Sequence, residues 1–139
     1  MLTFDRTIEN WVNRSNINHT LTLLGRALMA YIFIVAGWNK IAGYAGTAAY
    51  MEAKGIPSEL LSLVILLELG GGLAVLIGYQ TRMIALFLAL FCIASAFIFH
   101  GAPDDSIGLM KNLAMAGGFF YILVQGASKF SVDHLLTRK

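Results

Sequence analysis

Residues 58–79 read SELLSLVILLELGGGLAVLIGY, and between Glu59 and Arg82 the only charge is Glu68. A run of this length matches the roughly 20 residues a helix needs to cross ~30 Å of hydrocarbon. It does not alternate polar and apolar residues as a barrel strand does. Backbone groups in lipid must be satisfied within the segment, so the run is expected to be a transmembrane helix. A lone carboxylate at its centre costs about 2.5–3.5 kcal/mol on insertion scales unless a partner or a proton relieves it. The reading of function therefore turns on what surrounds Glu68.

Three further runs have the same character: residues 21–41, LTLLGRALMAYIFIVAGWNKI; residues 83–100, MIALFLALFCIASAFIFH; and residues 107–127, IGLMKNLAMAGGFFYILVQGA. Residues 78–82, GYQTR, and 101–106, GAPDDS, are short connections that force antiparallel neighbours. The expected fold is an all-α membrane protein, one domain over residues 1–139, built as an antiparallel four-transmembrane-helix bundle. Phe4, Ile8, Trp11 and Val12 form an apolar stripe among Asp5, Arg6, Glu9 and Arg14, the pattern of an N-terminal amphipathic interfacial helix. Residues 47–54, TAAYMEAK, precede Gly55 and Pro57 and predict a short surface helix between spans 1 and 2.

Composition agrees. Of 139 residues, 58% are hydrophobic and 13% charged, against about 45–50% and 25% in soluble domains. The mean hydropathy is +0.71. A chain this short cannot bury so much apolar surface in its own core, so lipid covers part of it. The net charge of +2 is small and scattered, which argues against nucleic acid. The single cysteine, Cys92, allows neither an intrachain disulfide nor a CxxC redox pair. Asp5, Glu9, Asn10 and Asn13 interrupt the N-terminus, unlike a secretory signal.

With an even number of spans both termini share one side, together with Arg6, Arg14, Arg82, Lys129, Arg138 and Lys139. The other side has Lys40, Lys54 and Lys111. The positive-inside rule predicts a multi-pass membrane protein with both termini cytoplasmic.

That orientation sets the depth of each polar residue. Lys40, His100, Lys111 and Asn112 fall in the outer third, Glu68 just below them, and Arg26 in the inner third. Arg26, Ala30, Phe33, Gly37 and Lys40 share one helix face by their spacing. Gly70, Ala74 and Gly78 form a small-residue stripe suited to close helix approach. Each polar residue has an ordinary reading. Arg26 can snorkel as an anchor or pair with Glu68. Lys40 beside Trp38 suits the interface, His100 suits a helix C-terminus, and Lys111 and Asn112 suit a wet first turn. Together, one buried acid with several donors in one layer reads as an internal polar network, structural or functional.

The chemistry open to this set is narrow. No His/Cys/Asp/Glu spacing suits a metal. His19, His100 and His134 are too dispersed to ligate a haem in the bundle, so neither metal nor haem is expected. What remains is proton and hydrogen-bond chemistry. Lys40, His100, Lys111 and Asn112 can donate to carbonyl oxygens, and a buried Glu68 can carry a proton. Trp38, Phe33, Phe97 and Phe99 can supply ring contacts. A hydrophobic ligand with two carbonyls, such as a quinone, fits.

Several short stretches in order resemble the DoxX family of small bacterial inner-membrane proteins: Gly25-Arg26, Gly37-Trp38-Asn39-Lys40, Gly55-Ile56-Pro57, Leu67-Glu68-Leu69-Gly70-Gly71, Gly78 with Thr81-Arg82, Phe99-His100 and Lys111-Asn112-Leu113. The resemblance runs from about Leu21 to Gln125 and implies a four-helix membrane bundle. It also implies, from relatives described as subunits of quinone-linked oxidoreductases such as thiosulfate:quinone oxidoreductase, or as partners of redox enzymes, a role in quinone chemistry. It carries Arg26, Lys40, Glu68, His100 and Asn112 over as site positions. The fold also looks like the quinone-reducing bundles of disulfide-forming enzymes, but this chain lacks their cysteine pairs.

The leading expectation is a membrane subunit of a quinone-linked oxidoreductase, with a quinone-like ligand in the outer half of the bundle. Glu68 and His100 would be catalytic, and Arg26, Trp38, Lys40, Lys111 and Asn112 would bind the ligand. A redox partner protein would supply electrons, and a homo-oligomer is compatible. The alternatives are a non-enzymatic scaffold or assembly factor for a redox partner, and a small transporter or proton conduit. Four helices without an evident inverted repeat leave the last little room for alternating access.

Overall fold

The structure is a computed structural model and describes residues 3–138; Lys139 of the positive set lies outside the described residues. Seven helices follow one another, and no strand occurs among the described residues. They are α1 (Thr3–Val12), α2 (Ser15–Ala42), α3 (Tyr44–Ala53), α4 (Ser58–Ile77), α5 (Thr81–Phe99), α6 (Ser106–Gln125) and α7 (Val132–Thr137). A 3₁₀ turn, Pro103–Asp105, leads into α6, and another, Ser58–Leu60, opens α4. Helices α2, α4, α5 and α6 with its leading turn are each long and apolar enough to cross a membrane. The chain is an all-α membrane bundle.

Three boundaries differ from the sequence reading. Helix α2 starts at Ser15, six residues before Leu21. Its first turns are polar but still helical, with Thr20 and Thr22 donating back to the carbonyls of Asn16 and Asn18. At about 1.5 Å per residue its 28 residues rise about 42 Å, more than the hydrocarbon needs. Helix α3 begins at Tyr44 rather than Thr47 and stops where Gly55 takes φ 76°. Helix α7 has no counterpart in the sequence reading.

Helix α1 has no buried residue, and Phe4, Ile8 and Trp11 are exposed. That suits an amphipathic helix whose apolar stripe faces the headgroup boundary. In the bundle α2 packs on α4 and α5 on α6, with α4 against α5 joining the two pairs. The core is small-residue rich, with Ala30, Ala85, Ala89 and Ala116 around Leu88, Val75 and Cys92. Phe33 and Phe119 meet edge to face at 5.2 Å.

Of the expected Gly70–Ala74–Gly78 stripe, only the Gly78 end lies close against α2, where a Cβ would meet the Arg26 side chain. A Cβ on Gly70 would meet only Leu66 of its own helix, at 3.5 Å. The other close approaches are at Gly37, where a Cβ would lie 2.7 Å from the Leu69 amide nitrogen, and at Gly72, where it would lie 2.9 Å from Ile34. Helix α4 is irregular there. Residues Leu66–Gly70 form a π turn, so the wide turn presses against the notch that Gly37 leaves. One extra residue per turn re-aims the side chains on either side, and such turns are frequent at functional sites.

The opposite end is closed by the chain after α6. Asp133 accepts from the amides of Gln80 at 2.7 Å and Thr81 at 2.9 Å, capping α5. Its own amide donates to the Gly78 carbonyl at 2.8 Å. Arg82 donates to the carbonyls of Leu123 and Val124 at 2.6 and 2.7 Å, where the last turn of α6 has none of its own donors left. The residues after α6 are therefore tied to the turn between α4 and α5.

Candidate functional site

Glu68 lies within the π turn, buried at 5% exposure. Lys40 lies in the last turn of α2, one turn beyond Gly37, and Gly37 is level with Leu69. The lysine therefore reaches back along the bundle, and its Nζ meets Glu68 Oε2 at 2.7 Å. The approach is an ion pair rather than an aligned hydrogen bond, because Oε2 lacks hydrogen-bond geometry. A carboxylate among apolar helices is thus compensated by a cation that reaches it from the wetter end of α2.

Both residues line a cavity of about 340 Å³ between α2, α3, α4 and α5. Its walls are mainly apolar, including Val64 and Phe91, and His100 lines it nearer the outside, its side chain 31% exposed against 7% for Glu68. Helix α3 forms the roof. Met51 is 4% exposed beneath it, and Tyr50 stacks on Phe99 with ring centroids 5.6 Å apart. Tyr44 and Ser62 share a hydrogen bond at 3.1 Å that fastens the start of α3 to α4. The sequence reading placed α3 at the surface and did not foresee that it covers a cavity. The signal was slight: Tyr50 and Met51 in an otherwise small and polar segment.

His100 follows α5, and its Nδ1 contacts Oδ2 of Asp105 in the turn before α6. Asp105 also caps α6 by accepting from the Gly108 amide at 3.2 Å. Asp105 was absent from the sequence expectation. A helix-capping aspartate five residues after the histidine was the available sign.

The structure therefore brings Lys40, Glu68 and His100 to one cavity and leaves the other four candidates outside it. Trp38 is 65% exposed on the outer face of α2. Lys111 is exposed, and Asn112 donates to the Gly108 carbonyl of its own helix at 3.0 Å. No cavity-lining residue comes from α6, which packs on α5 and meets α2 in the core, where Phe119 touches Phe33. Arg26 cannot reach Glu68. Eleven residues before Gly37, it sits about 16 Å away along the axis, level with Gly78. It is 1% exposed and donates to the Phe130 carbonyl at 2.5 Å. It is neither a free snorkelling anchor nor a partner of Glu68. Of the expected ring contacts, Phe99 lines the cavity, Phe33 belongs to the core and Phe97 is 63% exposed.

The fold and the buried pair define a small helical membrane protein with a cavity opening between its spans. The DoxX family model matches residues 21–101, and the chain belongs to the DoxX family. It is 51% identical over 120 residues to inner membrane protein YqjF of Escherichia coli strain K12, covering 84% of this chain and 92% of that one. It is 29% identical over 123 residues to inner membrane protein YphA of the same organism, covering 81% and 88%. It is 35% identical over 111 residues to a Bacillus subtilis strain 168 protein named "Putative oxidoreductase CatD", covering 73% and 83%. No solved structure matches the chain. With four apolar spans and inner-membrane relatives, the chain is a multi-pass inner-membrane protein.

Proposed function

We propose that this chain is the membrane subunit of a quinone-linked oxidoreductase and that the cavity holds the quinone head. The observation that carries the reading is the Lys40–Glu68 pair, which opens onto an apolar cavity of about 340 Å³ instead of being packed over. Small-molecule sites of about 300–1,000 Å³ with a few convergent polar groups have this character. The oxidoreductase name of one relative points the same way.

The residues present fit the group. The Lys40 ammonium donates to a carbonyl oxygen, Glu68 holds or releases a proton beside it, and the Val64 and Phe91 walls exclude water. Leu60 and Ile98 line the cavity and are also exposed on the lipid face, which gives an apolar tail its exit. A quinone held there would supply a two-electron, two-proton couple, with Glu68 relaying protons one at a time. The chain's lone thiol is buried and unpaired, so a redox partner protein supplies the electrons. In this reading the termini are cytoplasmic and the cavity lies in the outer half of the membrane.

The test is photolabelling of the protein in nanodiscs with an azido-quinone, followed by peptide mapping. Label in α3, α4 and α5 that an unlabelled quinone competes away is expected. Glu68→Gln should keep that label while turnover with the partner falls. Absence of competed label in the cavity segments would overturn the reading and favour a scaffold that fixes helix register without a ligand.

A further inference from the structure

Besides the Lys40–Glu68 pair, His100 offers the cavity a hydrogen-bonding group. Lys40 only donates, and the ionised Glu68 carboxylate it pairs with only accepts. The donor capacity of His100 is already committed. Its Nδ1 contacts Asp105 Oδ2, and the other carboxylate oxygen is held by the Gly108 amide at the start of α6. An ionised carboxylate only accepts, so the hydrogen in the His100–Asp105 contact belongs to Nδ1. Neutral imidazole carries one hydrogen, and Nε2 then keeps its lone pair. Because Nδ1 faces the α6 turn while the ring lines the cavity, Nε2 is the nitrogen left to a ligand. The other charged groups around this histidine are Lys111, which acts on the Asp105 carboxylate from α6, and Lys40 and Glu68, which line the same cavity.

We propose that Asp105 is a positioning residue that fixes the hydrogen of neutral His100 on Nδ1, so that the outer part of the cavity accepts a hydrogen bond and selects a hydroxyl-bearing ligand, the reduced form of a quinone. This rests on the quinone reading of the cavity and sharpens it. Oxygens of the oxidised form offer only acceptors, which suit Lys40 but not the lone pair of Nε2. The hydroxyl of the reduced form donates to Nε2.

Two measurements separate the parts. The first needs no ligand: ¹⁵N spectra of histidine-labelled protein in nanodiscs, with the His100 signal assigned through His100→Gln. Neutral His100 should carry its hydrogen on Nδ1, and Asp105→Asn should move it to Nε2. The asparagine keeps an oxygen for Gly108 and turns an amide donor toward Nδ1, so α6 stays capped; thermal unfolding of the variant checks this. A hydrogen on Nε2 in the native protein, or no change in Asp105→Asn, would overturn the role of Asp105. The second measurement compares binding of a short-chain benzoquinone and its hydroquinone under anaerobic conditions. The hydroquinone should bind more tightly to the native protein, and Asp105→Asn should shift the ratio toward the quinone by about tenfold. A residue that only capped α6 would move both affinities together and leave the ratio fixed, and that result would sink the selectivity. If neither form binds, the quinone reading and the selectivity fall together, while the nitrogen spectra still decide whether Asp105 fixes His100.

Discussion

Lys40 and Glu68 each justify the other. Removing the cation leaves a carboxylate at 5% exposure without compensation, whereas removing both charges leaves a polar but neutral site. Breaking a fully buried pair costs about 3–5 kcal/mol. Lys40 is 26% exposed, so Lys40→Met should destabilise by a smaller amount, about 2 kcal/mol. Adding Glu68→Gln to it should recover at least about 1 kcal/mol. Unfolding in mixed micelles by titration with sodium dodecyl sulfate checks both, and additive losses would show that the pair is not coupled. At this scale Glu68 was legible because a lone charge in an apolar run has no other explanation, and Lys40 because depth alone placed it nearby. Asp105 was legible only as a helix cap. Its role depends on a turn bringing it back to His100, and loop geometry leaves no periodic trace.

The notch at Gly37 and the π turn at Leu66–Gly70 belong to the scale of helices. Gly37→Ala would place a methyl 2.7 Å from a backbone atom of α4, a contact no rotamer change relieves. It should cost about 1–3 kcal/mol, as overpacking does. On the same helix a methyl added at Gly25 would meet nothing within 4 Å, so Gly25→Ala should be neutral or stabilise by up to about 1 kcal/mol. The pair of variants, compared in the same micelle titration, separates a packing requirement from the general flexibility of glycine. Helix number and type were readable because runs near 20 apolar residues have few alternatives in lipid. The helix-packing surface was not. The small-residue spacing pointed to Gly70, but a π turn shifts phase after Leu66, and a 3.6-residue period cannot anticipate it. Lys111 and Asn112 were placed by depth alone, which does not fix the face a residue takes, and the structure puts the first turn of α6 outside the cavity.

For the molecule as a whole, the segment after α6 decides how the end opposite the cavity is held. Burial pushes the Asp133 carboxyl up, but the Thr81 and Gln80 amides and the charge of Arg26 more than offset this and hold it below its ordinary value. A carboxylate lowered in the folded protein contributes stability above its unfolded pKa of about 3.9. That contribution is lost as pH falls through the folded value. The tie of α7 to α5 should therefore be insensitive between about pH 5 and 8 and loosen under more acidic conditions. Hydrogen exchange at the Gln80 and Thr81 amides should rise there beyond its intrinsic pH dependence, and Asp133→Asn should remove that step. Basic residues collect on the side of the termini, and this predicts cytoplasmic ends. A C-terminal reporter enzyme active only in the cytoplasm should be active, and activity of a periplasm-dependent reporter instead would reverse the topology. This end was the least legible in the sequence. Arg26 looked like an anchor or a partner of Glu68, and only the folded chain shows it beneath Phe130.

The single cysteine carries a practical consequence. Cys92 is fully buried among α5 neighbours in the core, and the chain has no other. Native protein should therefore be nearly silent to water-soluble maleimides. Any cysteine introduced at the roof, the outer part of the cavity or either terminus would report alone, so the chain comes ready for site-by-site chemical mapping without first being stripped of thiols.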